Sequence, residues 1–268
     1  MKTYFYKIQA LTNMHPGSGD TNFGVVDNMV QRDPATDLPV IHGSSLKGAI
    51  KEFFKPKNVI NLEKVFGNND NHGEYRFLPA MILAIPLRSN DKPYYMATSP
   101  DVIRQFLDLA NELNFKLDEE IKKDLDKLKS IQFSDEKLKA TEASQGLIIE
   151  DYENIDLLDE SLSENTKNLL GITNNNLVIL PDGEFVKMTD SQHLPVVARN
   201  QLENGQSKNL WYEQVIPRIT VFIKPLLIPE NDDEWSKFNE TLIGEPVQIG
   251  GNASVGYGFT RFSLISQN

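Results

Sequence analysis

The sequence predicts an α+β fold in which a strand, a helix, strands, a helix and a final strand follow in order. Three observations support this prediction. Residues 4–11 alternate between two sets of side chains, as a strand does. Residues 46–54 and 235–242 carry apolar side chains at helical spacing. Residues 77–87 form an almost continuous apolar run, which is typical of a buried strand. This order of elements is that of a split βαβ plan.

The remaining elements follow from the same patterns. A loop of about thirty residues separates the first strand from the first helix, and so long a loop in a compact domain is usually functional or disordered. Ser44 and Ser45 predict the N-cap of a helix that begins at Leu46, and Asp232 predicts the cap of a helix that ends at Gly244. The other predicted elements are helices 100–114 and 117–130, strands 147–149 and 177–180, a hairpin over 182–215 with its turn at 203–205, and strands 216–228 and 259–265.

Length and charge indicate one large domain with an acidic insertion. The chain has 268 residues and a formal net charge of −11. Residues 101–190 hold ten Lys and Arg against twenty-one Asp and Glu, which accounts for all the net acidity. A neutral or basic surface can still form from the two ends of the chain, so a polyanionic partner remains possible. We therefore predict a single domain over 1–268, with residues 100–180 as a helical acidic insertion.

Composition excludes several functional classes. The sequence has no cysteine, which excludes disulfides, thiolate zinc sites and cysteine nucleophiles and favours a cytoplasmic protein. No apolar run approaches the ~18 residues that a membrane span needs. The amino terminus alternates like a strand and lacks the apolar core of a signal peptide. We expect no membrane partner.

The glycine-rich segment 248–258 is the sharpest local feature. Glycines free the backbone to approach a ligand closely, and successive amides in such a loop can form a nest for phosphate oxygens. The segment lacks the Lys-Ser/Thr of a Walker loop and precedes a strand, so it is not a nucleotide fingerprint. A β-bulge or hairpin explains it equally well. The candidate RNA-binding glycines are Gly250, Gly251, Gly256 and Gly258.

A second candidate anion site lies at the start of the first helix. Unpaired amides at a helix N-terminus, the hydroxyls of Ser44 and Ser45 and the charge of Lys47 suit a phosphate. Lys51 continues the basic stripe one turn further, although such a stripe is usually a solvated face. Two such sites on one fold favour a phosphodiester backbone as the ligand. In the preceding loop, His15 is more often a surface residue than a catalyst, and Asp27 equally suits a turn.

Several motifs together resemble the RAMP superfamily of CRISPR proteins. Three of them lie near the amino terminus: Gly17-Ser18-Gly19, Gly24-Val25-Val26-Asp27 with Gln31-Arg32, and the run from Pro39 to Gly48. Three more narrow the resemblance to the repeated backbone subunit of the type III-B (Cmr) effector complex: Phe77-Leu78-Pro79-Ala80, Thr98-Ser99-Pro100 and Asn209-Leu210-Trp211-Tyr212-Glu213. The glycine-rich segment is similar to that superfamily's signature. The resemblance spans essentially the whole chain and is weakest over 101–190.

The resemblance implies an RRM-like palm whose copies stack head to tail along a CRISPR RNA, beside other Cmr subunits. Each copy would reach over its neighbour with a hairpin thumb, for which residues 182–215 are the candidate. The thumb would displace one base per repeat of the guide–target duplex. Candidate RNA-binding side chains in this hairpin are Arg199 and Trp211. Target-RNA cleavage in this family depends on a loop aspartate, which maps onto Asp27; the matching histidine and glutamate are His15 and Glu213.

The chemistry of RNA agrees with the implied activity. RNA carries its own nucleophile, the 2′-hydroxyl, so the protein has mainly to align it with the adjacent phosphorus. Asp27 could then act as a base or hold a divalent metal, Mg²⁺ or Mn²⁺, and the products would be a 2′,3′-cyclic phosphate and a 5′-hydroxyl. Two other hypotheses stay open: a structural subunit that coats RNA without cutting it, and a stand-alone CRISPR RNA-processing nuclease that uses His15.

Overall fold

The computed structural model describes residues 1–19, 25–134 and 137–267, so Gly24 of the motif around Asp27 lies outside the described residues. The strands are β1 Lys2–Ala10, β2 Val40–Ile41, β3 Arg76–Phe77, β4 Ala80–Leu87, β5 Tyr95–Thr98, β6 Leu138–Ala140, β7 Ile155–Leu157, β8 Leu177–Ile179, β9 Val196–Glu203, β10 Gln206–Gln214, β11 Val221–Ile228, β12 Val247–Gln248 and β13 Phe259–Leu264. The helices are α1 Gly43–Phe54, α2 Leu62–Phe66, α3 Pro100–Glu112, α4 Glu119–Lys129, α5 Glu164–Leu170, α6 Asp182–Met188 and α7 Trp235–Gly244, and a 3₁₀ turn spans Ala253–Val255.

One mixed sheet organises the fold, with strand order β12-β13-β1-β11-β4-β5-β8-β6-β7. Within it, β1-α1-β4 and β11-α7-β13 are two βαβ units that interleave, because β11 lies between β1 and β4 and β1 lies between β11 and β13. All neighbours from β13 to β4 are antiparallel. The predicted α+β class is confirmed. Strands β9 and β10 form a separate two-stranded hairpin.

Both faces of the central sheet are covered. On one face Trp235 of α7 stacks on Tyr4 at 3.8 Å between ring centroids, and Phe54 of α1 stacks on Phe238 of α7 at 5.0 Å. On the other face Phe5 packs against Phe106 of α3 at 5.7 Å. The alternation of β1 therefore divides two buried sets of side chains rather than a buried set and a solvated one.

The middle block extends the same sheet. Strand β8 pairs in parallel with β5, and β6 pairs with β8 and with β7. Helices α3 and α4 correspond closely to the predicted helices, and α4 buries Ile121, Leu125 and Leu128 as expected. Strands β6, β7 and β8 therefore lie beyond β5, at the edge of the sheet opposite to β12. Helix α3 instead covers the face over β1, and α4 follows close to β13, where the Asp118 amide donates to the carbonyl oxygen of Ser266 at 3.3 Å. No helix among the described residues combines the length and apolarity that a membrane crossing requires.

Several predicted elements are corrected by the structure. Residues 147–149 form no strand, because positive φ angles at Gly146 and Glu150 turn the chain on both sides and leave Ile149 with isolated bridges. The hairpin is shorter than 182–215: its start forms α6, which buries Phe185 and Met188 at helical spacing. The turn at Asn204-Gly205 is confirmed, with both φ angles positive.

Strand and helix starts also differ from prediction. Strand β11 begins at Val221 rather than at residue 216, because Pro217 has no amide hydrogen and Ile219 has a φ of 80°. Helix α1 begins at Gly43, after His42, with no side-chain cap. Asp232 does not cap α7: it accepts a hydrogen bond from the Tyr75 hydroxyl instead.

Lys224 is a fully buried cation in β11, on the face that carries Tyr6. Its ammonium donates to the carbonyl oxygen of Pro225 at 2.8 Å and lies 5.0 Å from the centroid of the Phe77 ring. Burial lowers the pKa of Lys224 from 10.5 to about 7. In the unfolded chain the group keeps its ordinary pKa, so the unfolded state binds more protons between these two values. Lys224 therefore destabilises the native state increasingly as the pH falls through this window.

Lys224→Met is expected to raise the free energy of unfolding, because it removes a buried ionisable group from an apolar site. The gain should be largest at and below about pH 7 and should shrink as the pH rises toward 10.5, where the lysine begins to lose its proton in the unfolded chain as well. Urea unfolding of both proteins, followed by tryptophan fluorescence at several pH values, measures it. A loss of stability that does not change with pH would show that the contacts with Pro225 and Phe77 outweigh the desolvation of the ammonium.

Candidate functional site

The long loop after β1 folds back onto the base of the hairpin. The Asp27 amide donates to the carbonyl oxygen of Tyr212 at 3.0 Å, and the Tyr212 amide donates to Asp27 Oδ2 at 2.7 Å. At the next residue of the loop, the carbonyl oxygen of Asn28 accepts from the Gln214 amide at 2.9 Å. Asn28 and Glu213 thereby form a parallel β-bridge. Residues 27 and 28 thus add a short third strand to the edge of β10. Asp27 is half-buried there.

Glu213 is a buried carboxylate that accepts hydrogen bonds on both oxygens. Trp211 Nε1 donates to Oε1 at 2.9 Å, while Arg199 Nε and Asn252 Nδ2 donate to Oε2 at 3.0 and 2.7 Å. Burial by itself raises the pKa of Glu213, but the hydrogen bonds from these three side chains and the charge of Arg199 outweigh it, so the pKa lies below the ordinary value. The carboxylate is ionised at neutral pH.

His15 is buried beside the same strand. Its Nδ1 lies 2.6 Å from the carbonyl oxygen of Gln214. A carbonyl oxygen only accepts, so Nδ1 carries a proton and the neutral ring has its lone pair on Nε2. The ring lies between Gly17 and Gly251, and the Gly251 amide donates to the His15 carbonyl oxygen at 2.9 Å.

These groups border an open cleft of about 800 Å³. His15 and Glu213 line it with residues of the loop after β1 and of the glycine-rich segment, namely Gly17, Ser18, Gly19, Asn28, Met29, Gly251 and Asn252. Asp27 does not line the cleft. It directly precedes Asn28, which does, and it is hydrogen-bonded to Tyr212 of β10. Asp27 contacts Tyr212 and His15 contacts Gln214, and Glu213 lies between these two positions of β10. The structure therefore brings the three predicted catalytic residues together along one strand.

The predicted anion site on α1 is connected to this cleft through Gln31. The buried Gln31 side chain donates to the hydroxyl of Ser45 at 2.8 Å and to the carbonyl oxygen of Gly17 at 3.0 Å, and accepts from the His42 amide at 2.7 Å. Ser44 is exposed one residue earlier.

The two lysines of α1 differ in their surroundings. Lys51 Nζ donates to the Gly67 carbonyl oxygen at 3.0 Å, at the end of α2. Lys47 is half-buried and has no side-chain partner within the described ranges. The structure thus gives Lys51 an internal contact, whereas Lys47 keeps its ammonium for another partner.

The candidate RNA-binding glycines fall into two pairs. A Cβ at Gly250 would lie 2.4 Å from the His15 carbonyl oxygen, and one at Gly258 would lie 2.1 Å from the Ile249 carbonyl oxygen. Internal packing therefore accounts for these two. At Gly256 a Cβ would meet no atom of the described residues within 4 Å, and at Gly251 it would make only ordinary contacts with His15.

Four amide side chains complete the site, and none of them was predicted as a site residue from the sequence. Asn28 and Asn252 contact Glu213, and Gln31 and Gln214 tie the loop to α1 and to the hairpin. Asn and Gln lack a periodic or catalytic signature. The nearest signal was the position of Asn252 directly after Gly250-Gly251, where its φ of 65° is one that asparagine tolerates.

No group of three or more metal-ligating side chains occurs within residues 1–19, 25–134 and 137–267. Asp27 offers a single carboxylate. That donor set fits Mg²⁺ or Mn²⁺ only where substrate oxygens or water complete the coordination shell, which is how Mg²⁺ usually binds beside phosphates.

A fold with two interleaved βαβ units, a projecting hairpin and a polar cleft at its base agrees with the comparisons. Residues 7–262 match the RAMP superfamily. The chain belongs to this superfamily, and the predicted family is confirmed.

Two characterised relatives align along nearly the whole chain. It is 30% identical over 293 aligned residues to the CRISPR system Cmr endoribonuclease Cmr4 of Pyrococcus furiosus, covering 98% of this chain and 96% of the relative. It is 26% identical to the CRISPR system CMR subunit Cmr4 of Saccharolobus solfataricus, covering 99% and 97%.

Solved structures share the fold. A chain of a type III-B Cmr-beta complex bound to cognate target RNA superposes with a TM-score of 0.78 at 22% identity, over 98% of this chain and 97% of the other. Oligomeric Cmr4 from Pyrococcus furiosus gives 0.71 at 24% identity, over all of both chains.

Gly250→Ala is expected to destabilise the protein more than Gly256→Ala. Both glycines have φ above 80°, so each substitution carries the left-handed strain of about 1–2 kcal/mol. Only residue 250 adds a clash with the His15 backbone, at a further cost of about 1–3 kcal/mol. Thermal unfolding of the two variants measures the difference. Equal melting temperatures would contradict the packing of Gly250 on His15.

Proposed function

We propose that the chain is a CRISPR RNA-binding backbone subunit of a type III-B effector complex, and that it cleaves target RNA complementary to the guide. The relatives support this proposal through an alignment along nearly the full length. The observation that carries the catalytic part is the position of Asp27, held by its backbone and carboxylate on the hairpin edge, beside a polar cleft.

In this proposal the interleaved βαβ units are an RRM-like palm and the β9–β10 hairpin is the thumb. The whole chain is one domain, and residues 100–180 are an insertion that covers one face of the sheet with α3 and extends its far edge with β6, β7 and β8. Copies associate head to tail along the guide. A head-to-tail interface that does not close into a ring adds the same contact with every further copy and so builds a filament. The partners are CRISPR RNA, target RNA, further copies of this chain and other Cmr subunits, which agrees with the complexes and oligomers that share its fold.

The chemistry follows from the nucleophile that RNA supplies. The 2′-oxygen attacks the adjacent phosphorus, the bond to the 5′-oxygen breaks, and the products are a 2′,3′-cyclic phosphate and a 5′-hydroxyl. The 2′-hydroxyl loses its proton and the leaving 5′-oxygen gains one. Asp27 would accept the first proton or hold a divalent metal, which would stabilise charge on the phosphate. His15, with its proton fixed on Nδ1, presents Nε2 as an acceptor near the cleft.

Phosphate binding is assigned to the start of α1 and to the open part of the glycine-rich segment. Ser44, Ser45 and Lys47 provide donors and charge without reading bases. Gly251 and Gly256 leave room for a close approach of the backbone. Arg199 and Trp211 both donate hydrogen bonds to Glu213. In this proposal they therefore hold the base of the hairpin rigid.

Asp27→Asn should cut target RNA about 10²–10⁴ times more slowly than the unaltered protein in the assembled complex, because one charge in the reaction is lost. Asp27→Ala should be as slow. The assay uses guide-loaded complex and labelled target, which the unaltered protein should cut at several regularly spaced positions. Guide and target binding should hardly change.

A target with 2′-deoxyribose before each scissile phosphate is the second arm of this experiment. It should resist the unaltered protein. Normal cutting by Asp27→Asn, or cutting of the deoxy target, would overturn the mechanism. Binding without any cutting by the unaltered complex would favour the RNA-coating subunit, and cutting of precursor RNA by the isolated chain would favour the processing nuclease.

Lys47→Ala should weaken the binding of all guides alike and lower the slope of log affinity against log salt by about one, because one phosphate contact is lost. Lys55→Ala is the matched control, since Lys55 follows the same helix but pairs with Glu52 at 3.5 Å. Filter binding with several guide sequences at a series of salt concentrations measures both. A loss that depends on guide sequence would place Lys47 on a base edge.

A further inference from the structure

Glu213 is surrounded by hydrogen-bond donors from different segments. Trp211 comes from β10, Arg199 from β9, Asn28 from the loop after β1 and Asn252 from the glycine-rich segment. Both oxygens of the carboxylate are engaged, and its side chain is 7% exposed. A group that must take a proton from a substrate needs a free lone pair within reach of that proton. The surroundings of Glu213 instead suit a fixed anchor.

Arg199 depends on this carboxylate. Its guanidinium lies 4.6 Å from the centroid of the Tyr257 ring and is 18% exposed, and within the described part of the chain its ion pair is with Glu213. Its Nη2 is buried with no hydrogen-bond partner among those residues. Loss of the Glu213 charge would leave a largely buried cation without compensation, which is costly.

The anchor is joined directly to Asp27. The carbonyl oxygen of Tyr212, the neighbour of Glu213, accepts from the Asp27 amide, and the Tyr212 amide donates to the Asp27 carboxylate. Asn28, the neighbour of Asp27, donates to Glu213 Oε1 at 3.4 Å. A tilt of the hairpin relative to the glycine-rich segment must therefore move Asp27, because the carboxylate is held by the hairpin.

We propose that Glu213 is a positioning residue, which locks the hairpin onto the glycine-rich segment and thereby sets the place of Asp27 against the target RNA. This rests on the proposed cleavage function. It assigns Glu213 no proton transfer and no contact with the reacting atoms. A displacement of a reactive group by about 1 Å is enough to slow a reaction on the order of 10²-fold.

Glu213→Gln tests the proposal. It keeps one acceptor oxygen but turns an NH₂ group toward two of the donors, so the hairpin should lose its fixed orientation. In the assembled complex the single-turnover cleavage rate should fall by about 10- to 100-fold, while guide and target affinity stay within about twofold. Glu142→Gln is the matched control, because Glu142 also forms an ion pair, with Lys92 at 2.7 Å, but lies in the acidic block. It should cut normally.

A charge swap separates positioning from catalysis. In Glu213→Gln with Asn252→Asp, the carboxylate and the amide exchange places, so residue 213 can donate to residue 252 and the negative charge stays in the cluster that includes Arg199. Asp also tolerates the positive φ of residue 252. We expect the swap to recover the cleavage rate to within about fivefold of the unaltered protein, whereas each single change is slow. A carboxylate that acts chemically at residue 213 could not be replaced in this way.

The outcomes are distinct. A swap as slow as Glu213→Gln, with melting temperatures and RNA affinities unchanged, would overturn the positioning role. So would normal cutting by Glu213→Gln. If Glu213→Gln does not fold, a swap that folds and cuts supports the proposal, and one that folds without cutting refutes it. The unaltered complex and Asp27→Asn run beside them: no cutting by the unaltered complex would refute the proposed cleavage function, and normal cutting by Asp27→Asn would refute the role of Asp27 in it. An inactive Asp27→Asn with a fully active Glu213→Gln refutes only this inference.

Discussion

The pairing of Asp27 and Asn28 with strand β10 is the contact on which the candidate site depends. A two-stranded hairpin is only marginally stable by itself, and here its second strand gains a third partner from the long loop after β1. The same contact ties the loop to the hairpin, in addition to backbone hydrogen bonds within the loop such as those from Ser18 to Met29 and from Gln31 to Pro16. Loop and hairpin thus stabilise each other, and the Asp27 carboxylate lies where they meet. Glu213 adds the glycine-rich segment to this assembly.

The rigidity of the platform below the site comes from a sheet that is buried on both faces. Aromatic stacking of Trp235 on Tyr4 covers one face, and Phe5 packs against α3 on the other. Such double coverage leaves charged residues of the central strands inside the protein. Lys224 is one, and Lys7 is another, with a pKa lowered by burial to about 8. Their desolvation is a cost that the surrounding apolar packing offsets.

The distribution of charge reconciles an acidic chain with the proposed RNA ligand. The acidic block forms β6, β7 and β8 at the edge opposite to β12, and its helices meet the start of β1, where the Thr3 hydroxyl donates to the Leu113 carbonyl oxygen, whereas the candidate cleft follows the end of β1. Outside residues 101–190 the acidic and basic residues balance, with seventeen of each. Repulsion of phosphate by the insertion is screened over about 8–10 Å at physiological salt, so it acts mainly close to the acidic side chains themselves.

The sequence by itself determined the elements whose pattern is local: the alternation of β1, the apolar faces of α3 and α4, the turn at Asn204-Gly205, and hence the α+β class. Its motifs also indicated the superfamily and the residues of the candidate site. Tertiary structure alone decided that the start of the predicted hairpin is helix α6, since burial of Phe185 and Met188 overrides a weak period of two. It alone placed His15 and Asp27 against β10 on either side of Glu213, because contacts between residues nearly two hundred positions apart leave no periodic trace in the chain.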